Sequence, residues 1–233
     1  MSPINRVPLP ASLLETARAY AEGERAPAVP RDAATVLLLR DGADGPEVHV
    51  MVRHRGMAFA GGMVAFPGGG VEPTDAADLP ADWPARLGAD PEIAAGVVGA
   101  ALREVAEETG VVLSLEDLGL WDAWTTPEFE PRRYRTWFFV ARVPAGQEPL
   151  ELSTESASIH WTTAAAALAR AEAGEWTMLP PTYLSVRRLG TFGSVEEVLD
   201  VARSASVEMF TPRVEGETLT VPEWAAALFG DQP

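Results

Sequence analysis

The chain has 233 residues, of which 47% are hydrophobic, and its formal net charge is −16. A chain this acidic lacks the broad positive field that attracts nucleic acid or anionic membrane surfaces, which argues against both classes of partner. Because the chain contains no cysteine, disulfides, zinc sites with thiolate ligands and thiol nucleophiles are excluded.

The first part of the sequence predicts a helix followed by a β-hairpin. Ser12 and Glu15 have the spacing of a capping box, which predicts an amphipathic helix that ends near Gly23. Residues 33–40 form an apolar run that is typical of a buried strand, and residues 47–53 alternate in polarity as its hairpin partner.

A glycine turn and an acidic helix follow. An apolar strand end runs into Gly68–Gly70, where backbone can approach a ligand closely. Three carboxylates share one face of the later helix, at positions i, i+3 and i+4: Glu104, Glu107 and Glu108. Like charges at this spacing repel each other, so a hard divalent cation would stabilise the ridge. Arg103 can hold one carboxylate in a two-pronged pair, and Gly110 ends the helix. The alternative is a solvated acidic face.

Three strands are predicted after this helix, at residues 111–113, 118–126 and 135–143. The loop between the last two carries two aromatic residues and two arginines: Phe129, Arg132, Arg133 and Tyr134. Phe129 or Tyr134 can stack on a purine, and Arg132 or Arg133 can bind a phosphate. The alternative for this loop is an ordinary hairpin tip with surface arginines.

The final part of the sequence is predicted to be mainly helical. A short strand at residues 159–161 leads into an alanine-rich helix at 163–173. A further helix begins near Leu179, and another begins at Ser194, which has Glu197 at capping-box spacing.

The glycine turn and the acidic helix together resemble the Nudix box. That pattern ends in Arg-Glu, an aliphatic residue, any residue, Glu-Glu, any residue, Gly and an aliphatic residue, which residues 103–111 match throughout. The pattern begins with a glycine, matched by Gly69, and a glutamate, whose place Asp75 takes. Between Asp75 and Arg103 lie 27 residues where the pattern has seven. The box therefore carries a 20-residue insertion at 76–95, whose prolines and glycine predict a loop.

This resemblance implies an α+β fold, the Nudix α/β/α sandwich with a mixed sheet, here with additional C-terminal helices. It also implies that Glu104, Glu107 and Glu108 bind Mg²⁺ or Mn²⁺, that the carbonyl of Gly69 or its neighbour adds an oxygen, and that Arg103 orients a carboxylate. Such a site would hydrolyse a diphosphate bond in a small nucleotide substrate.

The general base of the family is often a glutamate on a loop outside the box. Glu155 stands where such a loop can lie, and Glu128 and Glu130 are competing candidates.

A narrower resemblance is to coenzyme A diphosphatases, including the peroxisomal acyl-coenzyme A enzymes. Arg53 and residues 62–69 match the segment that precedes their box, although Ala58 stands where they have a second arginine. Residues 77–83 and 176–199 also resemble parts of these enzymes. This resemblance implies that coenzyme A or acyl-coenzyme A is cleaved to adenosine 3′,5′-bisphosphate and a 4′-phosphopantetheine product. It also allows a homodimer.

Two other functions stay open: an ADP-ribose or dinucleotide pyrophosphatase, and a Nudix-like nucleotide-binding module without catalysis. The domain prediction is an N-terminal extension at 1–30, a Nudix domain at 31–175 and a helical part at 176–233 packed on it. With no signal peptide or membrane span expected, a cytoplasmic protein is the default.

Overall fold

The computed structural model describes residues 6–8, 11–21, 23, 26–56 and 60–229. A seven-stranded mixed sheet forms its centre, in the order β4-β3-β2-β7-β6, with β5 paired to β2 and β8 paired to β3. The strands are β1 (Arg6–Pro8), β2 (Arg31–Gly42), β3 (Gly45–Arg53), β4 (Val64–Ala65), β5 (Gly68–Gly70), β6 (Gly119–Thr125), β7 (Tyr134–Arg142), β8 (Ser156–Thr163), β9 (Val214–Glu215) and β10 (Thr218–Thr220). The α-helices are α1 (Ala11–Ala21), α2 (Trp83–Leu87), α3 (Pro91–Thr109), α4 (Ala164–Glu172), α5 (Pro180–Leu189), α6 (Val195–Ser204) and α7 (Glu223–Ala226).

Strand β2 organises the sheet because it is buried on both faces. It pairs antiparallel with β3, as the predicted hairpin requires, and parallel with β7 along nine residues. Its side chains alternate between two apolar clusters: Val36 and Leu38 pack on one side, and Leu37 and Leu39 on the other. This period-two alternation places a hydrophobic layer on each face of the sheet.

Helix α3 covers one face. It begins with proline at its first position, where the missing N–H costs nothing, and ends at Gly110, whose φ of 73° is left-handed. Val97, Val98 and Val105 of this helix are fully buried against the sheet.

Helices α4, α5 and α6 cover the opposite face, where Leu184, Val186 and Leu199 join the cluster of Leu37 and Leu39. The layers are therefore helix, sheet and helix, which confirms the predicted α/β/α sandwich of the α+β class. At the start of α6 the Ser194 hydroxyl accepts from the Glu197 N–H.

The insertion at 76–95 is not simply a loop, contrary to the prediction. It contains α2, and α3 already begins inside it at Pro91. Trp83 and Leu87 are buried in the α3-side core, and the Leu87 carbonyl accepts a hydrogen bond of 2.9 Å from Trp137 Nε1. This apolar burial holds the segment in a helical turn despite its prolines.

The predicted strand at 111–113 is also wrong. Val111 is buried, but the segment does not join the described sheet, and a 3₁₀ helix follows at Leu115–Asp117. The side-chain amide of Gln147 instead bonds both backbone groups of Val112, at 2.7 and 3.0 Å. A side chain thus takes the place of a neighbouring strand.

The segment after α6 contains β-structure that the sequence did not predict. Strands β9 and β10 form a hairpin, and β10 pairs with β1 from the N-terminal part of the chain.

No helix in the described ranges is long and apolar enough to cross a membrane. The domain boundaries at residues 30 and 175 stay predictions.

Candidate active site

Helix α3 presents the acidic ridge beside the glycine strand β5. Glu108 is only 8% exposed, and its Oε2 accepts a hydrogen bond of 2.9 Å from the backbone N–H of Gly68. Burial raises the pKa of Glu108 to about 7, and the nearby carboxylate of Glu104 acts in the same direction. A buried carboxylate of this kind is costly unless a positive charge approaches it.

Glu104 lies one turn earlier and directly against Gly69. Burial raises its pKa, although the Arg103 guanidinium opposes the shift by donating from Nη1 to Oε1 at 2.9 Å. A Cβ atom on Gly69 would stand 2.2 Å from the same Oε1. Only glycine therefore allows the carboxylate to reach the strand.

Arg103 ties the two halves of the box together. Its Nε and Nη2 donate to Asp75 Oδ1 and Oδ2 at 2.8 and 3.0 Å, and this pairing lowers the pKa of Asp75. Nη2 also donates to the carbonyl of Gly70 at 3.0 Å. Nη1 contacts Glu107, which is 60% exposed, at 3.0 Å. One guanidinium thus holds four acceptor groups in place, counting Glu104.

The ladder between β2 and β5 decides which glycine carbonyl faces this ridge. Val36 N–H donates to Pro67 O and Val71 N–H donates to Asp32 O, so the register makes Ala34 and Gly69 a hydrogen-bonded pair.

The carbonyl of Gly69 is consequently directed at β2. The polar groups of Gly68 and Gly70 point away from β2. Two hydrogen bonds agree with this direction, one from the Gly68 N–H to Glu108 and one from Arg103 to the Gly70 carbonyl. Of the two carbonyls that the sequence left open, that of Gly69 is therefore taken up by β2, and that of its neighbour Gly68 stays the predicted metal-binding oxygen.

Arg53 and Glu155 lie across from the ridge. Arg53 Nη2 donates to Glu155 Oε2 at 3.2 Å, and the Nε of Arg53 is buried without a hydrogen-bond partner among the described residues. Both side chains act on the pKa of Glu108: Arg53 lowers it and Glu155 raises it. Glu155 therefore lines the same cavity as the acidic ridge and lies near enough to affect the charge of Glu108, as a candidate base must.

The loop between β6 and β7 divides into two kinds of residue. Glu130, Arg132 and Tyr134 line the cavity described below. Phe129 is 7% exposed and packs with Ala17 and Leu219. The expectation that Phe129 stacks on a purine is withdrawn, because α1 and β10 cover its ring.

Arg133 also differs from the expectation. It is 9% exposed and donates to the carbonyls of Thr126 and Ala28, at 3.0 and 2.9 Å. Its guanidinium braces the loop, so it is not available to a phosphate. Glu128 is exposed and does not line the cavity, which removes it as a competitor for the role of base. Ala58 lies outside the described residues.

A single cavity of about 750 Å³ connects these groups. Its acidic end is formed by the ridge, the glycine strand, Arg53 and Glu155. Much of the remaining lining is apolar, and consists of Val64, Phe66, Trp124, Phe138, Leu179, Pro180, Pro181, Pro212 and Leu219. The cavity can thus contact both a charged and an uncharged group of one ligand.

A divalent cation suits the acidic end. Within the described ranges, no three His, Cys, Asp or Glu side chains already stand together as a metal site, since Arg103 and the Gly68 N–H engage one oxygen of each buried carboxylate. The available donors are nevertheless carboxylate and carbonyl oxygens, which hard cations such as Mg²⁺ prefer. A cation would also offset the cost of burying Glu108.

Sequence reasoning missed two contributors to the site. Asp75 was noted only for its place in the pattern, yet it fixes Arg103. The wall formed by residues 179–182 and Leu219 had no signal in the sequence, because it comes from segments far from the box.

Comparison with known proteins agrees with this geometry. The model of the NUDIX domain matches residues 29–181, more than half of the chain. A Nudix hydrolase from Alicyclobacillus acidocaldarius is 27% identical, with a TM-score of 0.63 over 75% of this chain and 97% of that one.

Two further structures are more distant. A MutT Nudix hydrolase from Burkholderia pseudomallei is 16% identical, with a TM-score of 0.47 over 68% of this chain and 97% of that one. The Nudix domain of Shewanella oneidensis NrtR, complexed with ADP ribose, is 13% identical, with a TM-score of 0.46 over 69% and 88%. No curated protein matches. Since the family match covers most of the chain and includes both halves of the box, the chain belongs to the Nudix family of pyrophosphohydrolases, which generally need divalent metal ions.

Proposed function

We propose that this chain hydrolyses the diphosphate bond of a nucleoside diphosphate derivative, with coenzyme A or acyl-coenzyme A as the substrate. The products are then adenosine 3′,5′-bisphosphate and a 4′-phosphopantetheine compound. The observation that supports this substrate class is the cavity of about 750 Å³, whose lining combines the acidic ridge with many apolar side chains. A substrate with an uncharged group beyond its diphosphate contacts both kinds of side chain.

In this proposal Glu104, Glu108 and the carbonyl of Gly68 hold Mg²⁺ or Mn²⁺, and Glu107 is a further ligand. The bound ion neutralises diphosphate oxygens and lowers the pKa of a bound water. Arg103 fixes the carboxylates, since its guanidinium already holds Glu104 and Glu107.

Glu155 is the proposed general base. It faces Glu108 across the cavity, and Arg53 holds its carboxylate at 3.2 Å. Arg53 has a second role here, because its buried Nε–H still lacks a partner within the described residues. A diphosphate oxygen can accept from that group.

Arg132 and Tyr134 line the same cavity as the ridge. In this proposal Tyr134 packs on the nucleobase, and Arg132 pairs with the 3′-phosphate that distinguishes coenzyme A from dephospho-coenzyme A. An arginine suits this role because its planar fork matches phosphate geometry.

The test is a substrate panel with Mg²⁺ or Mn²⁺: coenzyme A, acetyl-coenzyme A, dephospho-coenzyme A, ADP-ribose, NADH and diadenosine polyphosphates. We expect coenzyme A compounds to be cleaved at the diphosphate, with Arg132→Ala raising KM for coenzyme A about 10-fold and leaving dephospho-coenzyme A unchanged. If the protein hydrolyses ADP-ribose and leaves coenzyme A intact, ADP-ribose replaces coenzyme A as the proposed substrate. Binding without any turnover would favour the non-catalytic module.

The homodimer and the cytoplasmic location stay predictions from the sequence.

A further inference from the structure

The loop that joins β6 to β7 is held rigidly from both sides. Phe129 is enclosed by Ala17 and Leu219, and Arg133 donates to two backbone carbonyls. At the base of the loop, the Tyr134 N–H donates to the Thr126 hydroxyl at 3.1 Å. Side chains between these anchors are therefore presented to the cavity in a fixed position.

Glu130 is the acidic residue that this loop presents. It is partly buried and lines the cavity. Among the described residues, no donor forms a hydrogen bond or ion pair with its carboxylate. Burying a carboxylate without a partner costs free energy, and no donor among the described residues offsets that cost. A ligand that donates a hydrogen bond would.

Glu130 does not belong to the acidic ridge, because it lies on the loop between β6 and β7 and the ridge lies on α3. Burial raises the pKa of Glu130. Its side chain lines the cavity together with Arg132 and Tyr134 of the same loop.

We infer that Glu130 is a specificity-determining residue that accepts a hydrogen bond from the nucleoside part of the substrate. This inference rests on the proposed nucleotide substrate. An ionised carboxylate only accepts hydrogen bonds, so it recognises a donor such as the exocyclic amine of adenine or a ribose hydroxyl. It also repels phosphate, which disfavours a diphosphate beside Glu130.

Equilibrium binding of ADP without divalent metal tests this inference separately from catalysis. We expect Glu130→Ala to weaken ADP binding roughly 10- to 100-fold, the range for a hydrogen bond to a charged group. Glu130→Gln, which keeps an acceptor oxygen, restores part of the affinity. Glu128→Ala is the matched control, because Glu128 is exposed on the same loop, and it should bind like the wild type.

Two analogues identify the donor: IDP lacks the exocyclic amine, and 2′-deoxy-ADP lacks a ribose hydroxyl. The wild type should bind one of them more weakly than ADP, and Glu130→Ala should not distinguish that analogue from ADP. Three results would each overturn the inference. The wild type and Glu130→Ala bind ADP with equal affinity, the wild type does not bind ADP, or the wild type binds ADP and both analogues equally well. If ADP binds as expected while the substrate panel stays inert, only the proposed catalysis fails.

Discussion

Arg103 and Asp75 form a two-pronged ion pair, with N–O distances of 2.8 and 3.0 Å, although a 20-residue insertion separates the two halves of their motif. The insertion can be accommodated because Gly99 of α3 lets the chain at Ala76 lie close, where a Cβ would meet the Ala76 nitrogen at 2.6 Å. The motif is thus assembled by packing, and its spacing along the chain is not essential.

Asp75→Asn should weaken this assembly. The side chain of Asp75 is 4% exposed, so losing its charge costs about 2 kcal/mol of unfolding free energy at pH 7. Because Arg103 lowers the folded pKa of Asp75 below its ordinary 3.8, the wild-type advantage is present above about pH 4 and is lost as the pH falls below it. Urea unfolding at several pH values measures this difference, and a constant difference down to pH 3 would contradict the account.

In metal-free protein, the stability difference between the wild type and Glu108→Gln should depend on pH in the opposite direction from that of Asp75→Asn. The folded pKa of Glu108 is about 7, above its ordinary 4.5, so wild-type stability falls as the pH rises from 4.5 through 7. The variant lacks this titration and should be more stable than the wild type at pH 8, by on the order of 3 kcal/mol. At pH 4 the two should be equal.

Thermal unfolding with and without Mg²⁺ checks this prediction. Mg²⁺ should stabilise the wild type at pH 8 and have a smaller effect on Glu108→Gln. An unchanged stability difference between pH 4 and 8 would mean that Glu108 titrates normally.

Gly69→Ala should damage catalysis more than it damages folding. The new Cβ would stand 2.2 Å from Glu104 Oε1, so the carboxylate must move, and a displacement of about 1 Å can reduce kcat about 100-fold. Gly56→Ala is the control, since no atom of the described residues lies within 4 Å of a Cβ there. Steady-state kinetics compares the two variants. Equal kcat in both would show that the position of Glu104 is not critical.

Arg188 anchors α5 on the sheet, and its removal should lower stability. Its guanidinium lies 3.9 Å from the centre of the Trp121 ring and donates to the Trp121 carbonyl at 2.7 Å. It also lowers the pKa of the buried Asp122, which burial raises to about 6. Arg188→Ala should cost roughly 1.5–3 kcal/mol, the range for a hydrogen bond to a charged group, because the Trp121 carbonyl loses its donor and the buried Asp122 loses a nearby positive charge.

Adding Asp122→Asn to Arg188→Ala tests the cause, because it removes the uncompensated charge and should recover part of the loss. Denaturant unfolding measures both variants, and a loss below about 1 kcal/mol in the single variant would sink this explanation.

The sequence predicted the parts whose local pattern is strong. The hairpin of β2 and β3 follows from alternation, and the carboxylates of α3 follow from helical spacing. The predictions failed where segments distant in sequence determine the burial and contacts of a residue. No local pattern indicated that α1 and β10 bury Phe129, that Arg133 reaches Ala28, or that Gln147 replaces a strand beside Val112. Trp83 and Leu87 make the insertion partly helical because the core lies behind them.

Anomalous diffraction from crystals grown with abundant Mn²⁺ shows which oxygens of this chain bind the metal. We expect a manganese peak within about 2.3 Å of carboxylate oxygens of Glu104 and Glu108 and of the Gly68 carbonyl, and loss of that peak in Glu108→Gln. Active crystals that hold manganese elsewhere, with these oxygens free of metal, would contradict it.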